Sequence, residues 1–311
     1  MKFVNFWQFW LYLCIPLGMS AESKVLIFTY SYNRPDFVRI QHDTFKKFLK
    51  DPYEFIVFND ASTSDMNHEI HRTCHQLGIR CVDIPQQIHL QPYLPRWPGE
   101  SLNHPAVRNS NVVQYSLDTL GFQHDGIVAI FDSDLFLVRD FSIKHFMETY
   151  AIAGLPQSKE NNGKHIEYLW IGLAFMDMRK LPNKETLSFN CGIIDGVPVD
   201  AGGFSHCYLR DHPETRVRHI LSGIRSPFEW CDVCRSAKIT PCLHNTQALI
   251  TSGCDEDQIE FIHSGPANCE FMEESIFFHY RGGTNWDHQS RKFHDDKTAI
   301  LNKYIHNILT D

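Results

Sequence analysis

Between Lys24 and Phe131 short β-rich apolar runs alternate with amphipathic stretches, and this alternation restricts the architecture more than any other feature of the chain. "KVLIFTY", "YEFIVFN", "GIRCVDI" and "GIVAIF" have the length and the β-branched and aromatic content of strands. Residues 35–49, 64–76 and 104–119 carry apolar side chains at helical spacing. Consecutive units of this kind pack as a mostly parallel sheet with helices on both faces, a Rossmann-like α/β arrangement. Ligands of such sheets bind at the carboxyl ends of the strands. Three clusters fall at those ends: "TYSYNRPD" after the first strand, "NDAST" after the second and "DSD" after the fourth.

The second half is less regular. "EYLWIGLAFMDM" (167–178) and "LSFNCGIIDGVPVD" (187–200) read as strands, the latter with a turn signal at Asp195-Gly196. "DQIEFIHSG" and "SIFFHYRGG" read as two more, and residues 287–308 as a closing helix. The stretch 84–105, "IPQQIHLQPYLPRWPGESLNHP", is rich in proline and aromatics without periodicity. A loop of that length in a compact domain is usually functional.

With 311 residues, 43% of them hydrophobic, the chain can bury a full-sized core, which excludes general disorder. A formal charge of −8, with no run of Lys or Arg, argues against nucleic acid as a partner. Residues 1–21 run from Lys2 through an aromatic-rich apolar stretch to Gly18, Ser20 and Ala21, the layout of a signal peptide or an uncleaved signal anchor. A single domain over 22–311 then follows, with any membrane contact made through the N-terminal segment. Five of the ten cysteines lie within 231–269. In an oxidising compartment they read as local disulfides; Cys231, Cys234, Cys242 and His244 also have a spacing compatible with zinc.

Asp132 and Asp134 sit at i and i+2 after a buried strand, where two carboxylates repel unless a cation lies between them. Mg²⁺ and Mn²⁺ suit such oxygen ligands. The clusters preceding them agree in order with a family pattern. "VLIFTYSYNRPDFVRIQHDTFKKFL…YEFIVFNDASTSD" resembles the opening of the family-2 glycosyltransferases, "HPAVRNSNVVQYSL" their A-R-N-x-G helix, and "IVAIFDSDLFL" their D-x-D strand end. The resemblance spans roughly 24–141 and implies a GT-A fold, in which this half holds a nucleotide-sugar and 142–311 the acceptor. It assigns donor contacts to Thr29, Tyr30, Arg34, Asp60, Arg108 and Asn109, and the metal–diphosphate to Asp132 and Asp134. Asn59 and Ala61 depart from the family's aspartate and glycine.

"FFHYRGGTNW" resembles the H-x-x-G-x-x-K-P-W element of family-8 glycosyltransferases, without its lysine and proline, which implicates His279 as a third metal ligand and Arg281 as a diphosphate partner. Asp200, before two glycines and a helix start, is a candidate general base for the acceptor hydroxyl or an N-cap. Asp211, Glu229 and Asp232 are further base candidates. "WIGLAFMDM" resembles an acceptor-side strand, with Trp170 and Gly172 as platform residues. The expected function is transfer of a sugar from a nucleotide-sugar to an acceptor hydroxyl on a saccharide, protein or lipid, with Mn²⁺ or Mg²⁺. Two alternatives use the same residues differently. In a haloacid dehalogenase-type phosphatase Asp132 would be the nucleophile and Asp134 the acid/base; an exported, non-catalytic binding protein would need neither.

Overall fold

In this computed structural model the residues described are 23–221, 246–247, 250–251, 255–256, 258–259, 270–283 and 291–310. The N-terminal segment, the greater part of the cysteine-rich stretch, Glu229, Asp232 and the "TNW" of residues 284–286 lie outside them.

The four expected N-terminal strands form as β1 (Val25–Ser31), β2 (Tyr53–Asn59), β3 (Arg80–Asp83) and β4 (Ile127–Phe131), joined through α1 (Pro35–Phe48), α2 (Ser64–Leu77) and α3 (Pro105–Thr119). Local chemistry sets the helix ends. Pro35 opens α1 with its preset backbone angle. The Thr63 side chain caps α2 by accepting from Met66 N at 3.3 Å, and Gly78 closes it at φ 67°. His104 caps α3 through Nδ1, ahead of Pro105.

All four strands are parallel, in the order β3-β2-β1-β4. The period-two alternation of β1 sends Val25 and Ile27 to the face covered by α1 and α2, and Phe28 and Tyr30 to the face covered by α3. Because β1 pairs with β2 on one side and β4 on the other, the chain reverses direction of travel there. The crevice of a doubly wound sheet opens at that point, beyond Ser31 and Phe131.

Past β4 the sheet becomes mixed. A long hairpin, β6 (Ile152–Asn161) and β7 (Lys164–Asp177), joins through β7 antiparallel to β4, and β10 (Val217–His219) completes a seven-stranded sheet. Only the β7 half of this hairpin was legible. The outer part of β6 carries exposed Ser158, Lys159 and Glu160 and so lacks an apolar signature, while the turn uses Asn162 and Gly163 at φ 50° and 74°. The segment read as one strand over 187–200 is a smaller hairpin, β8 (Gly192–Ile194) and β9 (Val197–Val199), turning at Asp195 and Gly196 with positive φ at both.

A separate three-stranded sheet sets β12 (Phe277–His279) between β5 (Leu135–Leu137) and β11 (Glu270–Met272), under the closing helix α4 (Arg291–Thr310). The strand expected over "DQIEFIHSG" does not include Gln258 and Ile259, which are helical. Gln258 is held by Asp255 and by Tyr304 of α4. The rest of that stretch lies outside the described residues. The described cysteines, Cys74, Cys81, Cys191 and Cys207, are free thiols.

Candidate active site

β4 is buried along its whole length and ends at Phe131, so its next residue leaves the core directly at the crevice. The turn that follows is pinned from three sides. Asp132 N donates to Gly172 O at 2.7 Å, tying it to β7. Leu135 N closes back onto Asp132 O at 3.1 Å. The buried Gln41 side chain of α1 donates from Nε2 to both Asp132 O (2.8 Å) and Leu135 O (3.0 Å). The two aspartates are thus presented by a turn whose carbonyls are already satisfied.

β5 starts at Leu135, and its antiparallel pairing with β12 sets His279 opposite Leu135. That register carries a C-terminal histidine to the D-x-D turn. Asp132, Asp134 and His279 each offer one ligand atom, and these atoms lie within 4.8 Å of one another. His279 Nε2 is 3.4 Å from Asp134 Oδ1, and Nδ1 is 3.7 Å from Glu270 Oε2 on β11. A carboxylate behind a histidine whose other nitrogen faces two more carboxylates is the usual arrangement around a metal-binding imidazole.

The electrostatics suit a cation-binding cluster. Burial, reinforced by the Asp134 charge, raises the Asp132 carboxyl to about 7 despite the opposing His279. Burial lowers His279, but Asp134 and Glu270 outweigh it and raise the imidazole to about 9. Two oxygen donors and one nitrogen donor suit Mn²⁺ or Mg²⁺, and a divalent ion relieves the carboxylate repulsion that the protein leaves standing.

The residues after β12 fold over this cluster. Tyr280 N donates to Asp134 O and Gly283 N to Asp134 Oδ2, both at 2.8 Å. A Cβ on Gly283 would lie 2.9 Å from Asp134 Cβ and closer still to Phe37 and Tyr280, so only glycine allows this approach. Arg34 secures the same segment: its guanidinium bonds Gly283 O and Asp36 and lies 3.4 Å over the Phe37 ring. Arg34 is thereby built into the wall behind Asp134. Trp170 of β7 packs on His279 with ring centroids 4.9 Å apart, and Gly172 leaves the space its indole occupies.

At the end of β2, Asp60 is the centre of a second buried cluster. Arg108 binds it from Nε (3.2 Å) and Nη2 (2.7 Å), and His89 Nε2 lies 2.9 Å from Oδ1. Arg108 also sits 4.9 Å over the Tyr32 ring. The departure at Asn59 has a structural use, since its amide bridges Ala61 N and Asp83 and shapes the β2–α2 loop. Tyr30 points into the core beneath α3 with its hydroxyl 2.8 Å from Ser116 Oγ, and Thr29 is fully buried. Neither is at the surface of the crevice. Asn109 is half-buried on α3.

Asp200 follows β9. Arg96 Nη1 donates to its Oδ1 at 2.8 Å, as does Ala201 N at 2.9 Å, and the side chain is 47% exposed. Gly202 packs so closely on β7 that a Cβ would stand 2.1 Å from Leu169 O, one residue from Trp170. Asp200 and the Asp132–Asp134–His279 cluster are therefore both anchored on the same short stretch of β7. Asp211, by contrast, is exposed and paired with Arg210. His89, Arg96, Glu100 and Glu270 were not foreseen. Each belongs to a stretch without periodicity or motif; the fold brings Asp60 to His89, Asp200 to Arg96 and His279 to Glu270, while Glu100 pairs with Arg96 four positions away.

No protein-family model and no curated protein matches the chain. Among solved structures it is similar to a mannosyltransferase from Pyrobaculum calidifontis in complex with GDP-mannose and Mn²⁺ (13% identity, TM-score 0.37, covering 64% of this chain and 55% of that one). It is also similar to core-mannan synthase A from Aspergillus fumigatus in a Mn/GDP form (10%, 0.37, 54% and 63%). A third is glucosyl-3-phosphoglycerate synthase from Mycobacterium tuberculosis with Mn²⁺, UDP and glucosyl-3-phosphoglycerate (18%, 0.27, 42% and 43%). The matched region spans less than two-thirds of the length of each of these chains.

Proposed function

We propose that the chain is a metal-dependent glycosyltransferase that moves a sugar from a nucleotide-sugar to an acceptor hydroxyl. The observation that carries this reading is the convergence of Asp132, Asp134 and His279, backed by Glu270, at the switch point of a doubly wound sheet. A divalent ion held there supplies charge neutralisation to a departing diphosphate.

The chain's own residues do the rest. Gly283 and Gln41 fix the aspartates, so donor charge meets a preorganised site. The Asp60–Arg108 pair, with Tyr32 beneath the guanidinium, supports a nucleoside base and ribose at the end of β2. Asp200 has one oxygen committed to Arg96 and Ala201 N, and its exposed side chain can take the acceptor hydroxyl's proton through the other. The phosphatase alternative gives His279 and Glu270 no part, although both are built into the cluster.

Export remains part of this proposal, supported by the layout of residues 1–21. Among the described residues no helix is long and apolar enough to cross a membrane. Incubating the protein with UDP- and GDP-sugars and Mn²⁺, and measuring nucleoside diphosphate release, tests the reading. Release that is abolished by chelation and by Asp134→Asn supports it. Release of inorganic phosphate from phosphomonoesters instead points to the phosphatase.

A further inference from the structure

A groove of about 370 Å³ runs between the irregular segment after β3, α3 and the β8–β9 hairpin. It lies within the size range of small-ligand sites, roughly 300–1,000 Å³. Tyr93, Tyr115 and Phe204 give it aromatic surface, and Asn111, Asn190 and Ser110 give it neutral polar groups. The two asparagine amides are not used by the fold. Among the described residues the Asn111 and Asn190 amides and the Tyr115 hydroxyl make no hydrogen bond. Ser110 Oγ, buried against the Cys191 thiol, meets no nitrogen or oxygen partner. Half-buried amides and hydroxyls left open around aromatic faces are costly unless water or a ligand completes them.

The charge of the groove is as informative as its shape. Among the described residues no Lys, Arg or His lines it, and the one acid that does, Asp118, is engaged by Gln114 Nε2 at 2.9 Å. None of these described residues would neutralise a phosphate, a sulfate or a uronate. Groups that both donate and accept hydrogen bonds, set among aromatic rings, match the hydroxyls and the C–H faces of an uncharged sugar.

The groove also joins the candidate base. Gly192 in its wall pairs with Val199, the residue before Asp200. Its opposite wall, Gln91 to Leu94, continues two residues on into Arg96, which holds Asp200. Both walls of the groove thus lead within one or two residues to the Asp200–Arg96 pair. We infer that this groove binds a neutral saccharide, the non-reacting part of the acceptor, and that the enzyme extends uncharged glycans rather than sugar acids or phosphorylated acceptors. The acceptor role rests on the glycosyltransferase reading; the saccharide site itself does not.

Saturation-transfer NMR on the full chain tests this, with neutral hexose and N-acetylhexosamine disaccharides as probes and their uronate and 6-phosphate counterparts as the anionic arm. Neutral probes should show transfer and anionic ones little. Tyr115→Phe combined with Asn190→Ala should weaken the neutral signal at least fivefold, with unchanged thermal unfolding and unchanged Mn²⁺–nucleoside diphosphate binding. The inference is overturned if neutral probes give no signal, if anionic probes bind equally well, or if the double variant binds like the wild type. A protein that binds neutral disaccharides but no nucleoside diphosphate keeps the saccharide site and loses its role as acceptor site.

Discussion

Arg96 Nη1 and Asp200 Oδ1 meet at 2.8 Å across 104 positions of sequence. The contact makes the middle of an otherwise irregular loop part of the site. The same guanidinium bonds Glu100, whose side chain is fully buried, and approaches His104 Nδ1 at 3.1 Å. Trp97 stacks 4.2 Å from the guanidinium. One arginine therefore ties the loop to α3 and to the candidate base together.

Arg96→Ala should destabilise the protein by roughly 1–3 kcal/mol, because it removes the charged partner that covers the Glu100 carboxylate. Denaturant unfolding measures this, and adding Glu100→Gln should recover part of the loss. Acid has a related effect. Burial raises Glu100, but the Arg96 bonds outweigh it and hold the carboxyl below its ordinary range. With the folded value depressed, Glu100's contribution is complete above its unfolded pKa, roughly 4.3, and is lost as pH falls through the folded one. Arg96→Ala should therefore flatten the acid limb of the stability profile.

Glu270→Gln should weaken Mn²⁺ binding roughly 10- to 100-fold, the usual cost of removing the carboxylate behind a metal-binding histidine. Calorimetric titration of Mn²⁺ reads this directly. An unchanged affinity would show that the 3.7 Å approach of Glu270 to His279 Nδ1 does not orient the imidazole.

Gln41→Leu removes two hydrogen bonds to the carbonyls of the D-x-D turn. Asp132 O keeps Leu135 N as a donor, so the loss is nearer the net worth of the bonds removed, roughly 0.5–1.5 kcal/mol each. The expected result is a lower unfolding midpoint together with weaker Mn²⁺ binding, since the turn that presents Asp132 loses its support from α1. A drop in stability alone would confine Gln41 to a structural role.

Mn²⁺ affinity should rise with pH. In the metal-free protein Asp132 titrates near 7 and His279 near 9, and both must be deprotonated to bind. Each proton displaced steepens the dependence by about tenfold per pH unit. The slope should therefore be near two below pH 7, near one between 7 and 9, and flat above. Isothermal titration in buffers of different ionisation enthalpy counts the protons released.

The parallel half of the fold was readable because its strands are buried runs separated by capped helices, and Thr63, Gly78 and Pro35 mark the ends directly. β6 was not, since its polar outer half gives no apolar pattern. In the site, Asp132, Asp134 and Asp60 follow from strand ends. His279 followed only from a resemblance that lacked two of its residues, and the β5–β12 register is what delivers it. Glu270, His89 and Arg96 had no local signal, because their roles depend on pairings across 9, 29 and 104 positions. Tyr30 shows the converse: it lies within a motif, yet its alternation in β1 sends it to the core.

The most direct test of the central claim is Mn²⁺-dependent binding of a nucleoside diphosphate, followed by calorimetry on wild type and Asp134→Asn. The expected result is that UDP or GDP binds the wild type only with Mn²⁺ or Mg²⁺ present. The variant should bind at least roughly 100-fold more weakly, beyond what loss of an outer partner alone costs. Binding of neither nucleotide to the wild type, or equal binding by the variant, would contradict the assignment of Asp132, Asp134 and His279 as the metal–diphosphate site.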